Sequence, residues 1–370
     1  MKFFTLSSIT DSPGLMQFFA DYKVGEGDLL LTNKFLLDAE LDGKECPCDA
    51  LFQEEYGAGE PNSEMVDAIL EEADKKPYRR IIAMGGGTIM DIGKVLAFGA
   101  GYRCADIAKN GPSLPHDRTL IAIPTTCGTG SEVTGVAVVE FKELHTKINM
   151  RYPAIYFDEV VLIPNLLRNL PFEVFACSSI DALIHAVESY ISPIANTFNK
   201  AMGRCAMEMI LEGYKKLAEK PYGTIPEPDQ LRVFSEAATM AGIAFEVGRC
   251  GPVHALSAPI SYEYHFPHGK ANYTVFRGVM DSYVRKGADL SELSEIIARV
   301  IDCKKEDAVD RMFTLIEKIY PNIEKGSTGA TPKLCRSMAR TVMETQTFLV
   351  NNGPVKFSEE EVTQIFRSCL

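Results

Sequence analysis

The sequence has no excess of positive charge. Its 38 Lys and Arg stand against 50 Asp and Glu, a formal net charge of −12. A nucleic-acid binder needs the opposite, a basic face that displaces counterions from phosphate. Nor is there an uninterrupted apolar run of the length that crosses a bilayer. The first residues, MKFFTLSSITDSPG, offer one early Lys and an apolar patch that Asp11 and Pro13 break before a hydrophobic region develops, so no signal peptide is expected. The ten cysteines have no framework spacing, and Cys46-Pro47-Cys48 is tighter than the usual zinc-ribbon or redox pair. Free thiols in a cytoplasmic protein are the simplest expectation. Internal repeats and low-complexity segments are also missing. What is present is an ordinary globular composition, 46% apolar, over 370 residues, a length that favours two domains.

The first part of the chain alternates strand and helix signals. Short strands are expected at Asp28 to Asn33 and Asp49 to Phe52, then a helix from Ser63 to Lys75 and a buried strand from Arg79 to Met84. That strand runs straight into Gly85-Gly86-Gly87-Thr88 and a helix from Ile89 to Ala100. A further strand, Leu120 to Pro124, runs into Thr125-Thr126-Cys127-Gly128-Thr129-Gly130-Ser131-Glu132. Gly135 to Phe141 and His145 to Met150 read as two extended arms around a polar turn. The rhythm predicts a parallel, doubly wound α/β sheet, with a dinucleotide-binding domain over residues 1–168. Near Pro164 and Pro171 the pattern changes. Helical periodicity follows at 172–191, 198–218, 229–246, 272–285, 290–301, 305–320, 332–350 and 358–367, which predicts an all-α domain over residues 169–370.

Two turns carry nucleotide chemistry. Glycines let the backbone approach a pyrophosphate, and the N–H groups that open the next helix point at it. The bland alternative is a tight turn with no ligand. Thr125, Thr126 and Thr129 form a second donor-rich loop on the same edge of the sheet, and together the two loops point to a dinucleotide crevice. Asp91 and Lys94 share the first turns of the intervening helix, where Lys94 reads equally well as a solvated helix residue.

A third feature is a set of metal-ligand types. Ile180, Leu183, Ile184, Val187 and Ile191 mark one buried helical stripe, and on that helix Asp181 and His185 project from neighbouring turns of one face. A carboxylate and an imidazole so placed can hold a divalent cation. His254 and His268, in a segment rich in Gly and Pro, would complete the set if the fold joined the segments. His116 and His145 read as loop residues. His265 reads either as a packing residue or as a proton donor near the metal.

These stretches resemble a known family. Gly85 to Lys94, GGGTIMDIGK, looks like the GGGSxxDxxK element of the iron-containing (group III) alcohol dehydrogenases. Pro124 to Thr134 resembles their PTTxGTGSEVT element, and Asp181 to Glu188 their DALxHAxE. His254 and His268 match the two remaining metal positions. The resemblance implies an N-terminal dinucleotide-binding α/β domain and a helical C-terminal domain with the metal between them. A closer similarity, through Val24 to Leu36, Phe52 to Gly57, Gly59 to Pro61 and Leu349 to Asn352, is to the NAD-dependent 4-hydroxybutyrate dehydrogenases of fermenting bacteria. That subgroup interconverts 4-hydroxybutyrate and succinate semialdehyde.

The resemblance implies NAD on Gly86, Gly87 and Thr88, with Asp91, Thr125, Thr126, Thr129 and Lys147 around it. It implies a cation on Asp181, His185, His254 and His268, expected to be Fe²⁺, although Zn²⁺ and Mn²⁺ suit the same donors. Two departures stand out. Asn33 replaces the Asp thought to reject the extra phosphate of NADP, and Ala258 replaces a second His near the substrate, which leaves His265 as the proton-relay candidate. A carboxylate-bearing substrate calls for a cation, and Arg249 and Lys270 flank the third and fourth ligands. A small-molecule hydroxy acid or aldehyde is the expected partner, with neither nucleic acid nor membrane, and the expected assembly is a homo-oligomer. The alternatives are a general primary alcohol or 1,3-propanediol dehydrogenase, a metal-dependent lyase on the same scaffold, and a nucleotide sensor with a structural metal.

Overall fold

The computed structural model describes residues 5–99, 101–144, 146–321 and 328–370. Chain contacts divide it into two compact units, one within residues 4–170 and one within residues 171–370.

The first unit contains β1 (Ser8–Asp11), α1 (Leu15–Asp21), β2 (Asp28–Thr32), α2 (Lys34–Leu41), β3 (Asp49–Phe52), α3 (Ser63–Ala73), β4 (Arg80–Gly85), α4 (Gly87–Val95), α5 (Cys104–Asn110), β5 (Thr119–Pro124), β6 (Val136–Phe141), β7 (Thr146–Arg151) and β8 (Glu159–Leu162). Six strands form one sheet in the order β1-β8-β5-β4-β2-β3, and every neighbouring pair is parallel. Parallel strands covered on both faces read as unbroken apolar runs. Leu29 to Leu31 and Ile81 to Met84 do so, and all are fully buried. Leu15, Phe18 and Leu37 from α1 and α2 pack with Leu30, Ile82 and Ile121 in one cluster.

The arms β6 and β7 pair antiparallel as a separate ribbon. His145 falls between them, outside the described residues, as does Ala100. The expected helix from Ile89 to Ala100 starts two residues earlier and ends at Val95. The edge strand β1 gave no sequence signal because its four residues are exposed and carry no buried alternation.

The second unit is all-helical among its described residues. It comprises α6 (Phe172–Ile191), α7 (Thr197–Leu217), α8 (Pro228–Gly248), α9 (Pro252–Tyr264), α10 (His268–Arg285), α11 (Ser291–Ile301), α12 (Ala308–Ile319), α13 (Pro332–Thr345), α14 (Thr347–Val350) and α15 (Glu359–Cys369). Helix α6 packs against α7, α8 and α10, and its buried residues run around the whole helix from Ser179 to Tyr190. That is the pattern of a central helix. By length and composition α6 could also cross a membrane, but 78% of its apolar stretch is buried inside the fold. Helix α9 occupies a segment whose Gly and Pro content predicts irregular chain. Pro252 occupies its first turn and Pro259 lies inside it. Proline is tolerated at a helix start, where its missing N–H has no partner to lose.

Candidate functional site

Asp181 and His185 sit one turn apart on α6, His254 in the first turn of α9, and His268 opens α10. The fold brings one donor atom from each within 4.8 Å of the other three. His254 Nε2 lies 3.6 Å and His268 Nε2 3.9 Å from Asp181 Oδ1, and His185 Nδ1 lies 4.0 Å from Asp181 Oδ2. The His185 ring is stacked between His254, at 4.5 Å between centroids, and Phe245, at 4.3 Å. Asp181, His185 and His254 are buried, while the His268 side chain is 42% exposed. The cluster therefore opens on the His268 side.

Burial by itself would push the Asp181 carboxyl up. The surrounding His185, His268 and His254 imidazoles outweigh it and hold the group well below the usual carboxylate range.

Two observations show that these residues fit a divalent cation. His185 Nδ1 and His254 Nε2 are buried with no hydrogen-bond partner, and each such atom costs about 1–3 kcal/mol if nothing satisfies it. Three imidazoles and one carboxylate are also a donor set that suits Fe²⁺, Zn²⁺ or Mn²⁺.

The surroundings of the cluster reveal residues to which the sequence reading gave no role. Glu188, 2% exposed, accepts from His254 Nδ1 at 2.6 Å and from the N–H groups of Gly251 at 2.8 Å and Val253 at 2.6 Å. A carboxylate at Nδ1 fixes the proton there and leaves the Nε2 lone pair for a metal. A Cβ on Gly251 would lie 2.8 Å from Glu188 Oε1, so this approach needs glycine. Asn352 donates to the carbonyls of Gly248 at 2.9 Å and Cys250 at 2.8 Å, pinning the turn between α8 and α9. Asn272 donates to Asp181 Oδ1 at 2.7 Å. The signal available for Glu188 was its place on the Asp181 and His185 face of α6, seven residues after Asp181; its partners lie 63–66 residues further on.

His265 is exposed in the left-handed region (φ 53°) just after α9, and among the described residues no hydrogen bond or ion pair joins it to the four donors. Arg249 also has positive φ (64°) and pairs with Glu246 at 3.5 Å. Lys270 Nζ sits 4.3 Å from the Phe266 ring centroid.

In the α/β unit, Gly86 precedes α4 and no side chain caps that helix, so its first N–H groups remain available to an anion. The second loop packs directly on this turn. A Cβ on Gly86 would lie 3.3 Å from Thr126 Cγ2, and one on Gly87 2.9 Å from Thr129 Cγ2. Thr125 N–H donates to the Gly85 carbonyl at 3.0 Å. Thr88 Oγ1 donates to the Gly59 carbonyl at 3.2 Å. This uncapped glycine turn under a threonine loop fits a dinucleotide pyrophosphate.

Asp91 faces inward. It accepts from Ser131 Oγ at 2.6 Å and from Val138 N–H at 3.0 Å. Burial pushes its carboxyl above the ordinary range, against the pull of Lys94 and these bonds. Lys94, read equally as a solvated residue, is fully buried. It donates to Ser131 Oγ at 2.6 Å, Thr134 Oγ1 at 3.2 Å and the Val136 carbonyl. Those acceptors come from 37–42 residues downstream, beyond any local pattern. Lys147 is paired with Glu60, and Asn33 with Glu54 and Gln53.

Comparison with known proteins bears on both units. Residues 36–164 match the profile "Iron-containing alcohol dehydrogenase", and residues 175–370 match "Fe-containing alcohol dehydrogenase family, C-terminal". A 4-hydroxybutyrate dehydrogenase from Clostridium kluyveri is 37% identical over 353 residues, 95% of each chain. Among solved structures, a 1,3-propanediol oxidoreductase superposes with a TM-score of 0.84 at 22% identity, covering 100% of this chain and 99% of its own. The sulfoacetaldehyde reductase of Bifidobacterium kashiwanohense, solved in complex with NAD+, does so with a TM-score of 0.83 at 21% identity, covering 100% and 98%. At these identities the structures establish the fold, and the two profiles with the Clostridium relative establish descent: this chain belongs to the iron-containing alcohol dehydrogenases, a family of oxidoreductases.

Proposed function

We propose that the protein is an NAD-dependent 4-hydroxybutyrate dehydrogenase. The observation that carries this is the Clostridium relative, similar end to end, combined with a ligand set that this chain keeps intact in space. The overall reaction moves a hydride from the carbinol carbon of 4-hydroxybutyrate to NAD+ and releases the hydroxyl proton, giving succinate semialdehyde and NADH.

Asp181, His185, His254 and His268 hold a divalent cation, with Fe²⁺ indicated by the family. When bound, such a cation supplies Lewis acidity to the substrate oxygen. The chain's own residues do the rest. Glu188 fixes the His254 ring, and Asn272 orients Asp181. The side chain of His268 leaves the approach open. His265, exposed to water three residues earlier, relays the hydroxyl proton. Gly86, Gly87 and Thr88 receive the pyrophosphate beneath Thr125, Thr126 and Thr129. Asp91 contributes by pinning Ser131 and β6 to α4, and Lys147, paired with Glu60, reaches a ribose hydroxyl. In a chain of net charge −12 a substrate carboxylate needs a local cation, and Arg249 or Lys270 supplies it.

The test is NADH formation by anaerobically purified, Fe²⁺-loaded protein with 4-hydroxybutyrate and 1-butanol side by side. A charged hydrogen bond to the carboxylate predicts a preference for 4-hydroxybutyrate of about tenfold or more. Equal or better use of butanol would make this a general alcohol dehydrogenase.

A further inference from the structure

The end of β2 lacks the acidic residue that a dinucleotide fold ordinarily uses to hydrogen-bond the adenosine ribose and exclude a 2′-phosphate. Asn33 stands there, a neutral amide. The sheet nevertheless places a carboxylate at the same point. Leu31 pairs with Ala83, so two residues on, Asn33 comes level with Gly85, the first glycine of the turn. On its other side Thr32 pairs with Phe52, so Gln53 is level with Asn33 and Glu54 follows. Strands lie about 4.8 Å apart, which puts the end of β3 about 10 Å along the edge from the glycine turn. All three positions are at the carboxyl ends of their strands, the edge where such sheets bind ligands.

The Glu54 carboxylate is fixed there. Its Oε2 accepts from Asn33 Nδ2 at 2.8 Å and its Oε1 accepts from Lys34 N–H, the first of α2, at 2.7 Å. Asn33 does not cap α2 with its own side chain. Its amide is turned toward Glu54, and to Gln53 Oε1 at 3.3 Å, so it holds a charge in place. Glu54 is exposed, and each oxygen keeps a lone pair for a hydroxyl donor. Lys34, whose N–H binds Glu54, has its own ammonium 5.2 Å from the Phe52 ring centroid.

We propose that Glu54, positioned by Asn33, determines the choice of NAD over NADP by accepting from the adenosine ribose diol and repelling a 2′-phosphate. This rests on the NAD-dependent reading above. The competing role is purely structural, a cap on α2. Glu54→Gln separates the two, because glutamine keeps an acceptor for Lys34 N–H and nearly the same shape but loses the charge.

The experiment is isothermal titration of NAD+ and of NADP+ into the Fe²⁺-loaded full chain, wild type and Glu54→Gln, with a melting curve for each. A unit-charge pair 4 Å apart costs about fivefold in affinity even in water, and a 2′-phosphate carries nearly two charges, so the NAD+/NADP+ affinity ratio should fall about tenfold or more in Glu54→Gln. The melting temperature should stay within a few degrees of wild type. An unchanged ratio in a variant that binds NAD+ normally would overturn the role of Glu54 and leave the NAD reading intact. So would a wild type that binds both dinucleotides equally. A wild type that binds neither would overturn both.

Discussion

The two units build their sites from different material. In the helical unit the chemistry resides in side-chain atoms, a carboxylate and three imidazoles drawn from three helices and held by buried partners such as Glu188 and Asn272. In the α/β unit it resides in the backbone, the uncapped N–H groups of α4 after a glycine turn, with threonine side chains packed over them. A side-chain site fails when atoms are taken away, and a backbone site fails when atoms are added. The two should therefore break under opposite kinds of substitution, and each should leave the other working.

The largest effect is expected at Glu188. Glu188→Gln turns an N–H group either toward the amide of Val253 or, in the other orientation, toward both the amide of Gly251 and His254 Nδ1. Loss of such a supporting carboxylate weakens metal binding by about ten- to a hundredfold. Competition with a chelator reads this directly, and NAD+ affinity should be unmoved.

The second is the reverse case, Gly87→Val. Its added Cβ would stand 2.9 Å from Thr129 Cγ2. Overpacking of this kind costs about 1–3 kcal/mol, and Thr129 can turn its methyl away, which places the effect at the lower end. NAD+ affinity should fall about tenfold by titration calorimetry, with metal content unchanged.

The smallest effect touches neither site. Glu361 closes the capping box of α15. Its carboxyl is lowered from 4.5 to about 2, first by the Lys286 hydrogen bond and then by the Ser358 N–H. A depressed carboxyl stabilises the fold above its unfolded pKa and loses that contribution as pH falls toward the folded value. Glu361→Gln should flatten the melting temperature between about pH 4.5 and 2. Because the pair is 32% and 39% exposed, its cost at neutral pH should stay below about 1 kcal/mol.

Much of this was legible in the sequence, and what was not has physical reasons. The apolar stripe around Asp181 and His185 predicts a helix over 172–191, the bounds of α6 itself, since a central helix declares its period strongly. The α/β rhythm was readable because buried parallel strands are unbroken runs. Helix α9 was not, because Pro252, Pro259 and Gly251 signal a loop, although a proline in a first turn costs a helix nothing. Lys94 looked as much solvated as functional because its acceptors arrive from a loop and strand more than thirty residues on. The role of Glu188 was hidden for the same reason. Helical spacing shows which residues share a face, whereas partners across helices are known only once the chain has packed.

In the proposed function, side chains of the helical unit by themselves hold the metal that the reaction needs. His268→Ala tests it most directly, because that side chain is 42% exposed and its removal leaves the core filled. The measurement is metal content and NADH formation with 4-hydroxybutyrate on anaerobically purified, Fe²⁺-loaded variant, alongside its NAD+ affinity. Metal and turnover should be lost while NAD+ affinity, which rests on backbone N–H groups at the glycine turn of the other unit, stays within about twofold of wild type. A variant that keeps near-stoichiometric metal and full turnover would contradict it.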